Sequence, residues 1–181
     1  HNWAAQLEQE PHDSLLAYHY GRAGANAKPL AWTHAMKAAR ESMRSGAWAS
    51  AAGSYRHALG RATNQRRRAQ AMVGAGRAHL AEGTLDDARL LLHEAVGLAE
   101  EHDLPTIQAA ASLALVGRAG RGASASTHDG ERQRLLRTAI ARIERSPSDR
   151  TPRTIELWAD LERELAIVLL MSGLAEERKQ L

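Results

Sequence analysis

Three glycines, Gly46, Gly83 and Gly120, stand 37 residues apart, and the residues around the first two repeat with them. Framed on this period, the chain divides into windows 32–68, 69–105 and 106–142. Ala39 and Arg40 match Gly76 and Arg77, Trp48 matches Leu85, and Ala51 matches Ala88. Further on, Ala58-Leu59-Gly60-Arg61-Ala62 matches Ala95-Val96-Gly97-Leu98-Ala99. A unit of this length cannot bury its apolar face alone, so neighbouring copies must stack. The third window keeps Gly120 and then dissolves into Gly, Ser and Thr up to Gly130, which reads as a loop or insertion. A partial copy restarts with Leu165, Ala166, Leu169 and Gly173.

Each window holds two helical stretches separated at the glycine. Met72, Ala75, Gly76 and His79, then Leu85, Ala88, Leu92 and Ala95, fall at helical spacing. The glycine closes the first helix in the left-handed conformation that only Gly adopts cheaply. The chain has 36 Ala among its 181 residues, no Phe, and no alternating β-branched runs, so helix is favoured throughout. Small residues at Ala39, Ala51, Ala58, Gly76, Ala88 and Ala95 let paired helices approach closely. Trp48, Tyr55, Leu85 and Leu92 are expected to fill the remaining space. The expected helices are 2–9, 13–24, 29–45, 48–62, 66–82, 85–102, 105–118, 130–146, 152–172 and 174–181. Pro29, Pro105 and Pro152 each fall in a first turn, where the missing N–H costs nothing. Asp13 and Thr84 are expected N-caps.

Gly46, Trp48, Ala51, Tyr55 and Ala58 reproduce the order glycine, aromatic, alanine, aromatic, alanine. In this the first window resembles the tetratricopeptide repeat. The usual proline near the end of the repeat is replaced by Thr63 and Glu100, and the period exceeds the usual length of about 34 residues. Longer second helices are the expected consequence. The resemblance implies an all-α fold, a right-handed superhelical solenoid of antiparallel helix pairs. Residues 1–28 would be linking helices and 29–181 the array, with copies at about 32–68, 69–105, 106–146 and a partial one at 152–181. A chain that opens at His1 and stops inside a helix pair is expected to belong to a longer parent.

A second resemblance is narrower. Leu15-Leu16-Ala17-Tyr18-His19-Tyr20-Gly21-Arg22-Ala23-Gly24 precedes the first repeat. Val116-Gly117-Arg118-Ala119-Gly120-Arg121-Gly122, Leu135-Leu136 and the stretch from Glu162 to Leu170 come later. This pattern is similar to the helical region of large actinobacterial ATP-binding LuxR-type regulators and related signal-transduction ATPases. It implies a cytoplasmic sensor and coupling domain in transcription regulation, one that restrains a neighbouring ATPase and DNA-binding domain. The alternative is a generic scaffold for protein binding, without a small-molecule inducer.

Nothing in the chain supplies catalytic chemistry. There is no Cys, so thiolate chemistry and disulfides are excluded and a reducing compartment is permitted. No Walker A pattern occurs, and the glycines from Gly117 to Gly122 have neither a preceding strand nor a following Lys-Ser/Thr. The nine His form neither H-E-x-x-H nor an i, i+4 pair. Ser and Asp are scattered without a nucleophile elbow. Glu156, Asp160, Glu162 and Glu164 alternate with Arg153 and Arg163 and read as a solvated face. A non-enzymatic chain without cofactor or metal is expected. The longest apolar run, Leu165 to Met171, has seven residues, far short of the roughly 20 that a membrane span requires.

Charge is unevenly laid out although the net value is only +3. From Ser42 to Ala81 there is no acid, while Arg44, Arg56, Arg61, Arg66, Arg67, Arg68 and Arg77 contribute seven positive charges. From Glu82 to Asp103 seven acids face Arg89 alone. Arg66-Arg67-Arg68 suits phosphates, but no aromatics interleave for base stacking, so nucleic acid is the weaker partner. If first helices line the concave surface, as the tetratricopeptide resemblance implies, the inward residues are Met36, Lys37, Arg40, Met43 and Arg44 in the first window. Gln70, Val73, Arg77 and Leu80 follow in the second, and Ile107, Ala110, Ala114 and Arg118 in the third. The expected binding set is therefore Met36, Lys37, Arg40, Met43, Arg44, Arg77 and Arg118. Arginine binds carboxylates in bidentate fashion, and Met adapts to apolar contacts, so an acidic small molecule, peptide or protein is the expected groove partner.

Overall fold

In the computed structural model, which describes residues 13–117, 125–146 and 151–180, every regular element is helical. The helices are α1 (Asp13–Arg22), α2 (Lys28–Arg44), α3 (Trp48–Leu59), α4 (Gln65–Glu82), α5 (Leu85–Glu101), α6 (Pro105–Gly117), α7 (Ala125–Glu144) and α8 (Pro152–Gln180). A short 3-10 turn, Ala25–Ala27, leads into α2. The helix expected over 2–9 and the glycine at 120 lie outside the described residues.

The helix ends follow local chemistry. Gly46 and Gly83, with φ of 76° and 97°, end α2 and α4 in the left-handed region, as the repeat pattern requires. Pro29, Pro105 and Pro152 all sit in first turns. Asn64 caps α4, its side chain accepting from the Arg67 amide at 2.9 Å. Two expected caps have other partners. Asp13 lies within α1 and meets His34 Nδ1 at 2.7 Å. Thr84 turns back to the end of α4, where its Oγ1 contacts His79 Nδ1 at 2.7 Å and donates to the His79 carbonyl at 3.3 Å.

Several boundaries differ from expectation: α1 ends at Arg22, and α3, with 12 residues ending at Leu59, is shorter than α2 with 17, where a longer second helix reaching 62 was expected. Helix α8 runs unbroken from Pro152 to Gln180, where a break at Gly173 was expected. A single interior Gly weakens a helix by only about 1 kcal/mol, and the apolar run before it packs inward through Val168. Helix α7 begins at Ala125, inside the stretch that composition marks as a loop.

The chain divides into two compact units, one reaching Leu91 and one beginning at Leu92. In the first, α1 packs on α2, α2 on α3, and α3 on α4, while α2 also touches α4. The connections are short, so consecutive helices return antiparallel. The core is nine alanines with Met36 and Tyr55 as its large members, and Trp32, Met43, Leu59 and Leu91 pack against it. In the second unit α6 packs on α7 and α8, and α7 packs on α8. Its core holds Val116, Leu136, Ile140, Ile143, Leu161 and Val168 around Ala109 and Ala139.

Repeat-equivalent positions share their burial. Ala51 and Ala88 are fully buried, as are Ala58 and Ala95, while Tyr55 and Leu92 are 6% and 0% exposed. Trp48 and Leu85, expected as core fillers, are not: Trp48 is half-buried and Leu85 is 37% exposed. Each opens its helix, at the edge of the packed face, where the chain is still turning.

Candidate functional site

The site grows from Tyr55. Ala51, Tyr55 and Ala58 recur at i, i+4 and i+7, so they share the inward face of α3. The Tyr55 ring lies against bare backbone on α4, because a Cβ at Gly74 would come within 2.6 Å of its Cζ. Gly74 is thus required by a close approach and not by a turn. Burial pushes the Tyr55 phenol above its ordinary pKa, while the cations of Arg40 and Arg77 pull it the other way. Arg40 comes from α2 and Arg77 from α4, so guanidiniums from the first helices of two successive windows act on one phenol.

The other expected residues divide into two groups. Lys37, Arg40 and Arg44 are exposed and fall at i, i+3 and i+7 along α2. Arg44 is engaged within its own helix, where it forms an ion pair with Glu41. Arg77 is half-buried. The methionines face elsewhere. Met36 is 4% exposed and belongs to the core, and Met43 is half-buried against it. The reason is periodic: Trp32, Met36, Ala39 and Met43 form the stripe of α2 that meets α3 and α4. The same holds for Val73, Leu80, Ile107 and Ala110, which are 7%, 9%, 7% and 8% exposed. Counting from the window start places them on a groove surface, but helices this rich in Ala and Gly are surrounded on several sides and leave little free face. Arg118 lies outside the described residues.

The basic run over Arg66, Arg67 and Arg68 does not act as one rail. Arg67 stacks over the Trp32 ring with its Cζ 4.9 Å from the centroid and bonds Thr63 Oγ1 at 3.0 Å, while Arg66 and Arg68 are exposed. Among the described residues no group of three or more His, Asp or Glu is placed to hold a metal ion. No helix among them is long and apolar enough to cross a membrane.

Arg40 and Arg77 thus both act on a phenol held in place by α4, and Lys37 is exposed one turn before Arg40 on α2. Guanidiniums suit a carboxylate, which accepts from them in bidentate fashion. Sequence reasoning named the two arginines as candidates and did not name the tyrosine beside them. The signal was available: Tyr55 shares a helical face with Ala51 and Ala58, and Gly74 interrupts an otherwise alanine-rich helix. Compared with known protein families, with curated proteins and with solved structures, the chain matches none.

Proposed function

We propose that this chain is a non-catalytic binding and coupling arm of tetratricopeptide type, a right-handed solenoid of helix pairs whose Arg40–Arg77 patch takes an acidic small molecule or acidic peptide. The observation that carries the reading is that the cations of Arg40 on α2 and Arg77 on α4 both act on the buried Tyr55 phenol. Such a ligand bridges the first helices of two successive repeats and fixes the distance between them. In a stacked array that distance sets curvature, and curvature is what neighbouring domains sense. The arm belongs to an ATP-dependent transcriptional regulator of the LuxR type, in keeping with the resemblance of the Leu15–Gly24 segment and the repeats after it.

The test is a thermal-shift titration with succinate, citrate and a glutamate-rich peptide. A ligand at about 100 times its Kd stabilises by roughly 2.7 kcal/mol, a rise of several degrees in Tm. The expected result is a rise in the wild type that Arg40→Ala/Arg77→Ala lacks. No rise with any acid, or an equal rise in the double variant, refutes the patch as the binding site.

A scaffold reading without an inducer has one observation in its favour. Ile167, Leu170 and Met171 lie at i, i+3 and i+4 on α8 and are 45%, 65% and 55% exposed. Exposed apolar patches mark protein contacts. Binding of a protein partner that Ile167→Asp abolishes, with no response to small acids, favours this second reading.

A further inference from the structure

The first unit contains a second cluster, on the other side of α2. At about 100° per residue, Ala35 and Ala38 point away from Lys37, Arg40 and Arg44. There α2 meets two polar stripes. On α3, Ser50, Ser54 and His57 recur at i, i+4 and i+7, and Arg61, just past the helix end, continues the line. On α1, Ser14, Ala17 and Tyr18 recur at i, i+3 and i+4. These residues, with Gly53, line an open cleft of about 380 Å³. That volume lies within the roughly 300–1,000 Å³ of small-molecule sites. No acid lines it.

Arg61 is built into the wall. Its guanidinium occupies the space that a side chain at Gly21 would take, since a Cβ there would lie 2.8 Å from Arg61 Cζ. Nη1 donates to the His57 carbonyl at 3.3 Å, and Nε is buried without a hydrogen-bond partner. A second cation stands at the rim: Arg22 Nη1 donates to the Tyr18 hydroxyl at 2.8 Å. A charged donor buried without an acceptor is costly, and native proteins rarely leave one so. Here the walls add hydroxyls, which accept or donate as required, and the floor of Ala17, Ala35 and Ala38 is apolar.

We propose that this cleft is a binding site for a small organic anion, a carboxylate or a phosphate ester. Arg61 takes the anionic head, the serine hydroxyls and Tyr18 hold the polar part of the body, and the alanine floor accepts its carbon skeleton. The site is independent of the Arg40–Arg77 patch and stands whether or not that patch binds.

The experiment is calorimetric titration of the whole chain with inorganic phosphate, glycerol 3-phosphate and 3-hydroxybutyrate, with glycerol as the neutral control. Saturable binding of an anion but not of glycerol is expected, and the anion that binds assigns the head group. Arg61→Gln should weaken binding by about tenfold or more. Because Arg61 also packs on α1, Gly53→Leu is the second variant. A Cβ at Gly53 meets nothing within 4 Å, so a larger side chain can start there without a backbone clash, and leucine also raises helix propensity. In the Arg40→Ala/Arg77→Ala background, where the other patch is removed, an anion should still bind saturably, and adding Gly53→Leu to that background should abolish the binding with no further loss of Tm. The proposal is overturned if no anion binds saturably, if Gly53→Leu binds unchanged, or if the Arg40/Arg77 pair is what binding requires.

Discussion

The residues up to Leu91 and those from Leu92 onward are both helical, yet their cores are made of different material. The first core is nine alanines with one methionine and one tyrosine. The second is built on Leu136, Ile140, Ile143, Leu161 and Val168. Alanine cores draw helix backbones together, and glycines then become slots into which large side chains lie: Tyr55 over Gly74, Arg61 over Gly21. Branched aliphatic cores hold backbones apart and fill the gap with side-chain volume. Among the described residues the second unit also buries whole polar side chains, Gln108, Ser112 and Thr154. Gln108 Nε2 donates to Glu100 at 2.8 Å, and Ser172 joins Asp129 to α8 at 3.3 Å. The difference teaches that one helical layout can be made specific by close backbone fit or by interdigitated volume.

The two kinds of core should fail in opposite ways. Removing volume harms the second unit most. Leu161 is fully buried, so Leu161→Ala is expected to cost about 2–5 kcal/mol in denaturant unfolding. Loss of less than about 1 kcal/mol there would end the comparison. Adding volume harms the first unit. Gly74→Ala drives a methyl into the Tyr55 ring, and Ala51→Leu overfills a fully buried position, each at about 1–3 kcal/mol. Trp32 and Trp48 in the first unit and Trp158 in the second report each unit's unfolding by fluorescence when the other tryptophans are replaced. An unchanged midpoint for both Gly74→Ala and Ala51→Leu would refute the close-fit account.

The smallest effect sharpens the picture of the site. Tyr55 has its folded pKa raised above the unfolded value near 10.0. Its contribution to stability is therefore fully present below that pH and is lost as pH rises through the folded value. One proton gives a slope of at most about 1.4 kcal/mol per pH unit. Tyr55→Phe should remove this component. Arg40→Ala should raise the Tyr55 pKa further, since the Arg40 cation lowers it, and ultraviolet titration of the phenol reads the change. A fall on removing Arg40 would mean that the two groups do not interact as described.

Much of this was legible in the sequence. The 37-residue period located Gly46 and Gly83, the alanines that pair, and Arg40 and Arg77 as equivalent positions. Periodicity is local, so it survives without knowledge of neighbours. The orientation of Met36 and Met43 was missed because their place was counted from the window start, by analogy with the repeat, and not from the apolar stripe of Trp32, Met36, Ala39 and Met43 that α2 itself carries. Nor was the pairing of Arg44 with Glu41 given weight, although the i, i+3 spacing was there to be seen. The Ser50, Ser54, His57 and Arg61 stripe was equally visible as a spacing, but a polar stripe on a helix is ordinarily just solvated surface. Only the approach of α1 and α2 turns it into a wall.

By itself, then, the sequence determined helix, period, turn positions and the excess of arginine over Ser42 to Ala81, since these follow from propensity, backbone freedom and composition. The tertiary structure decided which side chains share a space. Tyr55 against Gly74, under the influence of the Arg40 and Arg77 cations, and Arg61 over Gly21 at a cleft, each join residues from different elements. Such contacts depend on how closely two backbones approach, and that distance is set by the summed volumes of many small residues across the interface and by no single one of them.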